Sequence, residues 1–288
     1  MDDESVGMLL VFISAAGFAT LGVLGIVAAE EGISIPTVLS LRFLLASAIV
    51  WAVLWYGERL TLLTGRSLRY AIALGAVGYA SMSGMYFLGL EFMTAGMVGI
   101  VLYTYPAFVV CFALLVRPER VTRILLLALG LTIAGVSLIT GANPAGADPR
   151  GVAVVLVGAF AYAAYITLSQ RVLRTTSPEV LTAHVLPAAA VTFILVGTAT
   201  DSLALPETAL GWGTVAAIAA IATAVPVLTF FAGIQRLGAS RASIISTVEP
   251  GVTVLLGAVF LGEPVTAAIV AGGVLIVTGV LLIQRGSD

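Results

Sequence analysis

The chain is one unit of five apolar stretches written twice. Tyr86-Phe87-Leu88-Gly89-Leu90 returns as Phe230-Phe231-Ala232-Gly233-Ile234. Ala95 returns as Ala239, Pro106 as Pro250, Glu119 as Glu263 and Gly135 as Gly279, each 144 residues on, half of the 288. At the start of the halves, Gly7, Ala15 and Phe18 match Gly151, Ala159 and Tyr162. Five is odd, so a unit that crosses a membrane five times sends its second copy in from the opposite side. Inverted repeats are a recurring architecture of secondary transporters, whose pseudo-twofold halves can rock around a site between them. The expected fold is therefore an all-α integral membrane protein. Ten transmembrane helices form two inverted five-helix repeats, residues 1–144 and 145–288, around a central cavity.

Composition supports the membrane. The chain is 60% hydrophobic and 10% charged, with mean hydropathy +1.14, too few charges for the surface of a soluble domain. Apolar runs of about 20 residues, each enough for roughly 30 Å of hydrocarbon, place spans at 6–28, 35–56, 68–88, 94–116, 121–140, 151–169, 178–199, 211–234, 239–261 and 264–284. No cleavable signal is evident in the acidic start Met1-Asp2-Asp3-Glu4. There is no lysine. With the N-terminus inside, Arg59, Arg66, Arg69, Arg117, Arg120, Arg123, Arg171, Arg174, Arg236, Arg241 and Arg285 all fall inside, Arg150 outside and Arg42 within a span. Eleven against one is a strong positive-inside bias. It predicts a multi-pass protein of the bacterial cytoplasmic (inner) membrane with both termini cytoplasmic.

Several classes are disfavoured. Cys111 is the single cysteine and His184 the single histidine, so neither a metal centre nor a disulfide framework is expected. No phosphate loop of the Gly-x-x-x-x-Gly-Lys type is present, which argues against ATP hydrolysis. The net charge of −2 gives no reason to expect nucleic acid. No cofactor is called for. The expected partners are a small-molecule substrate and the lipid bilayer, with protons as the coupling ion to consider. Small residues such as Gly130, Gly135, Gly273 and Gly279 allow close helix packing. They leave monomer and homodimer both open.

Glu249 leads the candidate site residues. It lies in mid-span, where a carboxylate costs at least about 2.5 kcal/mol and usually faces a cavity or a partner; the alternative is a protonated or hydrogen-bonded Glu that only locks helices together. Ser246, Glu249 and Thr253 share a helical face. Pro250 weakens the helix there. Its repeat partner is Pro106, and the partner of Glu249 is Tyr105, so the fourth and ninth spans both break near the midplane. Interrupted helices at corresponding positions point to a transporter's binding site. Tyr79, Ser83 and Tyr86 form a second polar face in the third span, and Tyr162 and Tyr165 add phenols from the sixth. Tyr103 and Tyr105 point to different helical faces, so at most one of them is expected in the cavity. Arg42 and His184 occupy matching positions, counted from Pro36 and Pro178. Each is a candidate for substrate contact. The alternatives are snorkelling or pairing with Glu30 or Glu31 for Arg42, and a helix-to-helix hydrogen bond for His184. Trp51, Trp55 and Trp212 read as interfacial belt residues.

Ten spans in two inverted halves, Glu249-Pro250 in the ninth and Leu261-Gly262-Glu263-Pro264 after it resemble the drug/metabolite transporter superfamily, EamA type. The resemblance covers the whole chain, although Arg117-Pro118-Glu119 is the weaker counterpart in the first repeat. It implies a basket-like bundle, a central cavity and export of small metabolites, and it extends to the YddG-like amino acid exporters. One acid, one arginine and several phenols suit a zwitterionic, including aromatic, amino acid. Nucleosides or drug-like cations on the same scaffold remain the alternative. A channel or a membrane enzyme fits less well, because Glu249 has no second acid in the membrane.

Overall fold

The computed structural model describes residues 2–89, 91–93, 95–116, 122–139, 141, 148–262 and 265–285. Arg117, Pro118, Glu119, Arg120, Asn143, Glu263 and Pro264 lie outside them. All regular structure among the described residues is helical. The first repeat contributes α1 (Asp3–Glu30), α2 (Ile35–Tyr56), α3 (Gly65–Gly89), α4 (Ala95–Leu102), α5 (Tyr105–Val116) and α6 (Arg123–Ile139). The second contributes α7 (Pro149–Val172), α8 (Pro178–Ala199), α9 (Ala209–Leu237), α10 (Ala239–Ile245), α11 (Glu249–Leu261) and α12 (Ala267–Arg285). Among the described residues, seven helical segments are long and apolar enough to cross a membrane: α1, α2, α3, α7, α8, α9 and Ala239–Phe260. The apolar helices α6 and α12 add two shorter ones.

Local chemistry explains the boundaries. α2 and α8 start behind Ser34 and Ser177, whose hydroxyls accept the amides of Thr37 and Val180 at 3.4 Å, with proline in the first turn of each. Serine caps the free first-turn amides, and proline has no donor to lose there. Gly238 takes φ +83 in the tight junction between α9 and α10, a conformation that strains a residue with a Cβ.

Packing follows the repeat. α1 lies on α9 and α11, and its partner α7 lies on α3 and α5. α2 packs on its own partner α8, and α6 on its partner α12. Close approaches are duplicated too. A Cβ on Gly7 would lie 2.8 Å from Leu237 Cγ, and one on Gly151 the same distance from Met93 Cγ. Gly233 fits against Val11 as Gly89 fits against Val155. These are one contact set related by the 144-residue shift. Gly135 and Gly279 seat α6 and α12 against each other within the chain, so they are used in internal packing.

Both repeats depart from α-helix at corresponding places. α3 winds as a π-helix over Leu74–Tyr79, and α9 does so over Ala220–Ala224. Thr192 of α8 donates to the Ala76 carbonyl, at 3.4 Å, in the first of these turns. The second pair of departures is the interruption at Tyr103–Thr104 and the 3-10 turn Ser246–Val248. Pro106 and Pro250 stand in the first turn of the helices that restart there, α5 and α11. The Ser246 carbonyl, which loses its usual donor to Pro250, accepts the Glu249 amide in the 3-10 pattern.

Candidate functional site

The two interruptions meet. The Tyr105 hydroxyl is hydrogen-bonded to Ser246 Oγ and also donates to the Ser243 carbonyl at 3.3 Å. Glu249 opens α11, and its side chain is hydrogen-bonded to the Tyr103 phenol. Tyr86 reaches the same carboxylate electrostatically.

Glu249, Tyr86, Tyr103 and Tyr162 keep some accessible surface although protein surrounds each of them. That combination belongs to side chains lining an internal space. Tyr79, Tyr105, Tyr165 and Ser83 are fully buried behind them.

From this space an aromatic row runs through the bundle. Tyr103 lies 6.2 Å from Tyr105, Tyr105 meets Tyr162 edge-on at 4.7 Å, and Tyr162 stacks with Tyr165 at 5.8 Å. Tyr165 stacks with Tyr79 at 5.3 Å, and Tyr79 meets Phe43 edge-on at 5.1 Å. The row ends at a charge. The Arg42 guanidinium lies 4.4 Å from the Phe43 centroid and donates to Ser83 Oγ at 3.4 Å. Arg42 is 4% exposed, its Nε has no partner, and among the described residues it has no acid within ion-pair distance. Tyr79 senses both Arg42 and Glu249 electrostatically. A buried guanidinium and an enclosed carboxyl group thus stand along one tyrosine row with no ion pair between them.

Arg42 neither snorkels nor pairs with Glu30 or Glu31. It sits under α3 and α8, and Glu31 instead accepts the Thr208 hydroxyl. The Thr253 hydroxyl returns to the Glu249 carbonyl at 3.1 Å, and its methyl faces Gly22 of α1. His184 is not brought to the row. Its Nδ1 bonds the Val180 carbonyl at 2.8 Å, and Nε2 accepts the Leu63 amide at 3.2 Å. The ring therefore clamps the loop after α2 to α8 as the neutral tautomer protonated at Nδ1. Trp51 departs from the belt reading: it donates to the Ala183 carbonyl at 2.7 Å and meets His184 edge-on. Trp55 and Trp212 are exposed.

Sequence reasoning counted Tyr165 with Tyr162, but it set Tyr103 apart from Tyr105 and missed Phe43. Helical spacing separates residues 103 and 105, but the helix is interrupted there. The repeat held the missing signal, because residue 103 is the partner of Thr247 in the matching 3-10 turn.

A helical bundle of membrane-spanning length, built from two matching repeats and holding a buried arginine and an enclosed glutamate along one tyrosine row, fits a transporter scaffold. The chain belongs to the EamA-like transporter family, which it matches twice, over residues 5–141 and 149–285. It is 26% identical over 253 residues to a protein of Archaeoglobus fulgidus named an uncharacterized transporter, covering 85% of this chain and 87% of that one. Bacillus subtilis YyaM, also named an uncharacterized transporter, is 24% identical over 249 residues, 83% of this chain and 81% of its own. B. subtilis YcbK, named likewise, is 31% identical over 188 residues, 62% of this chain and 59% of its own. A crystal structure with 21% identity superposes with a TM-score of 0.82 over 99% of this chain and 100% of its own, which speaks to the fold. The relatives' names carry no substrate.

Proposed function

We propose that the protein is a secondary, non-ATP carrier that exports small amphipathic metabolites by alternating access, with amino acids, aromatic ones included, as the leading substrates. Ten crossings with both termini cytoplasmic complete this reading, supported by the eleven inside arginines. Asp3 pairs with Arg236 at 3.1 Å and Glu4 with Arg241 at 2.9 Å, which puts the N-terminus and the α9–α10 junction on one face, as that topology requires.

The observation that carries the substrate class is the buried, unpaired Arg42 at one end of the tyrosine row with Glu249 at the other. A lone buried guanidinium has lost its water and gained no anion, which costs several kcal/mol. A substrate carboxylate at Arg42 and Ser83 offsets this, an ammonium group meets Glu249, and a side chain lies along the tyrosine wall. A nucleoside supplies neither formal charge. A drug-like cation supplies one and leaves Arg42 unanswered.

Counterflow into proteoliposomes loaded with amino acids, nucleosides or quaternary amines tests the reading, with Glu249→Gln measured beside wild type. The expected result is saturable, trans-stimulated exchange of amino acids, strongly reduced in the variant. Wild-type exchange rates in a folded Glu249→Gln protein remove the role of Glu249 in this reading. Exchange of quaternary amines alone selects the cation reading.

A further inference from the structure

We propose that a cleft between α3 and α7 is a binding site for an anionic phospholipid, with its headgroup at Arg66 and Arg171. The cleft holds about 540 Å³, within the roughly 300–1,000 Å³ of small-molecule sites. Arg66 from the start of α3 and Arg171 from the end of α7 stand at one end. Val77, Phe160 and Leu168 form walls that run to membrane depth, and Tyr165 forms the floor. No aspartate or glutamate lines it. Arg66 donates to the Tyr70 hydroxyl at 3.3 Å, and among the described residues neither arginine is in an ion pair.

The two ends ask for different chemistry. Paired guanidinium groups at a membrane surface suit a phosphodiester, which can accept several charge-assisted hydrogen bonds. Val77 is 64% and Phe160 52% exposed, so the walls face the surrounding lipid and suit an acyl chain. A water-soluble anion satisfies only the mouth, and a neutral lipid only the walls. Basic residues near the surface attract anionic lipid in this way. The floor links the cleft to the interior. Gly78, where a Cβ would lie 3.0 Å from Tyr165 Cβ, lets α3 close on Tyr165, whose ring stacks with Tyr79 and Tyr162. An occupant therefore rests on the outer side of the aromatic row. The proposal is independent of which substrate is carried.

Native mass spectrometry of the delipidated full chain, titrated with phosphatidylglycerol or phosphatidylcholine of identical acyl chains, tests the assignment. The anionic lipid is expected to bind about 25-fold more tightly, since each arginine near the surface contributes about fivefold. Arg66→Gln with Arg171→Gln removes the preference. Arg59→Gln with Arg174→Gln, an equal loss of charge at residues outside the cleft, retains it. Ala164→Trp, which fills the cleft, weakens both lipids. Should the glutamine pair fail to fold, Arg66→Lys with Arg171→Lys is expected to keep a reduced preference. Equal binding of the two lipids by wild type overturns the proposal. So do equal losses in the two glutamine pairs, unchanged binding in Ala164→Trp, or displacement by millimolar glycerol phosphate.

Discussion

Arg42 is held by one long hydrogen bond and the face of Phe43. Its burial lowers the stability of the empty protein, while the proposed carboxylate contact makes it necessary for transport. Arg42→Met keeps much of the length and removes the desolvation penalty. This variant is expected to unfold in detergent at or above the wild-type temperature and to lose amino acid counterflow. Retained exchange at the wild-type rate counts against the carboxylate role. His184 is expected to behave in the opposite way. His184→Ala loses two hydrogen bonds at about 1 kcal/mol each and releases the loop after α2. Thermal unfolding should fall measurably while the ranking of substrates stays the same. A changed ranking moves His184 from clamp to substrate contact.

At the scale of elements, the duplicated glycine contacts give a paired expectation. Gly7→Val and Gly151→Val each push a side chain into a neighbouring helix, and overpacking of this kind costs about 1–3 kcal/mol. The two are expected to cost alike, whereas Gly130→Ala, with nothing within 4 Å, should stay within about 0.5 kcal/mol. Thermal unfolding of the three variants checks this. A harmless Gly7→Val beside a severe Gly151→Val breaks the equivalence of the α1–α9 and α7–α3 interfaces. Seven long apolar helices and two shorter ones were legible from apolar run length, and the paired breaks from Pro106 and Pro250. The π turns in α3 and α9 were not, because nothing in Leu74–Tyr79 distinguishes π from α winding before α8 packs on it. Glu249, Tyr105 and Ser246 were legible as a group because their breaks are repeat partners. Tyr103 was lost to an assumed continuous helix. The burial of Arg42 depends on α3 and α8, far away in sequence.

For the whole molecule, the proposed topology is checked by single-cysteine labelling in a Cys111→Ser background. Asn143→Cys is expected to react only from the outer side of the membrane, and reaction from the cytoplasm alone reverses the orientation. The way the two repeats are joined has a mechanical consequence. α1 is fastened to α9 and α11, and α7 to α3 and α5. Pulling residues 1–144 away from 145–288 as blocks would tear both groups at close seams, Val11 on Gly233 and Val155 on Gly89. Under the proposed alternating access, the stiff bodies are therefore not the sequence halves. Each is a hybrid in which the first helix of one repeat travels with the body of the other. The chain has to thread back and forth between them, with α2–α8 and α6–α12 as the couplings across which any swing is transmitted.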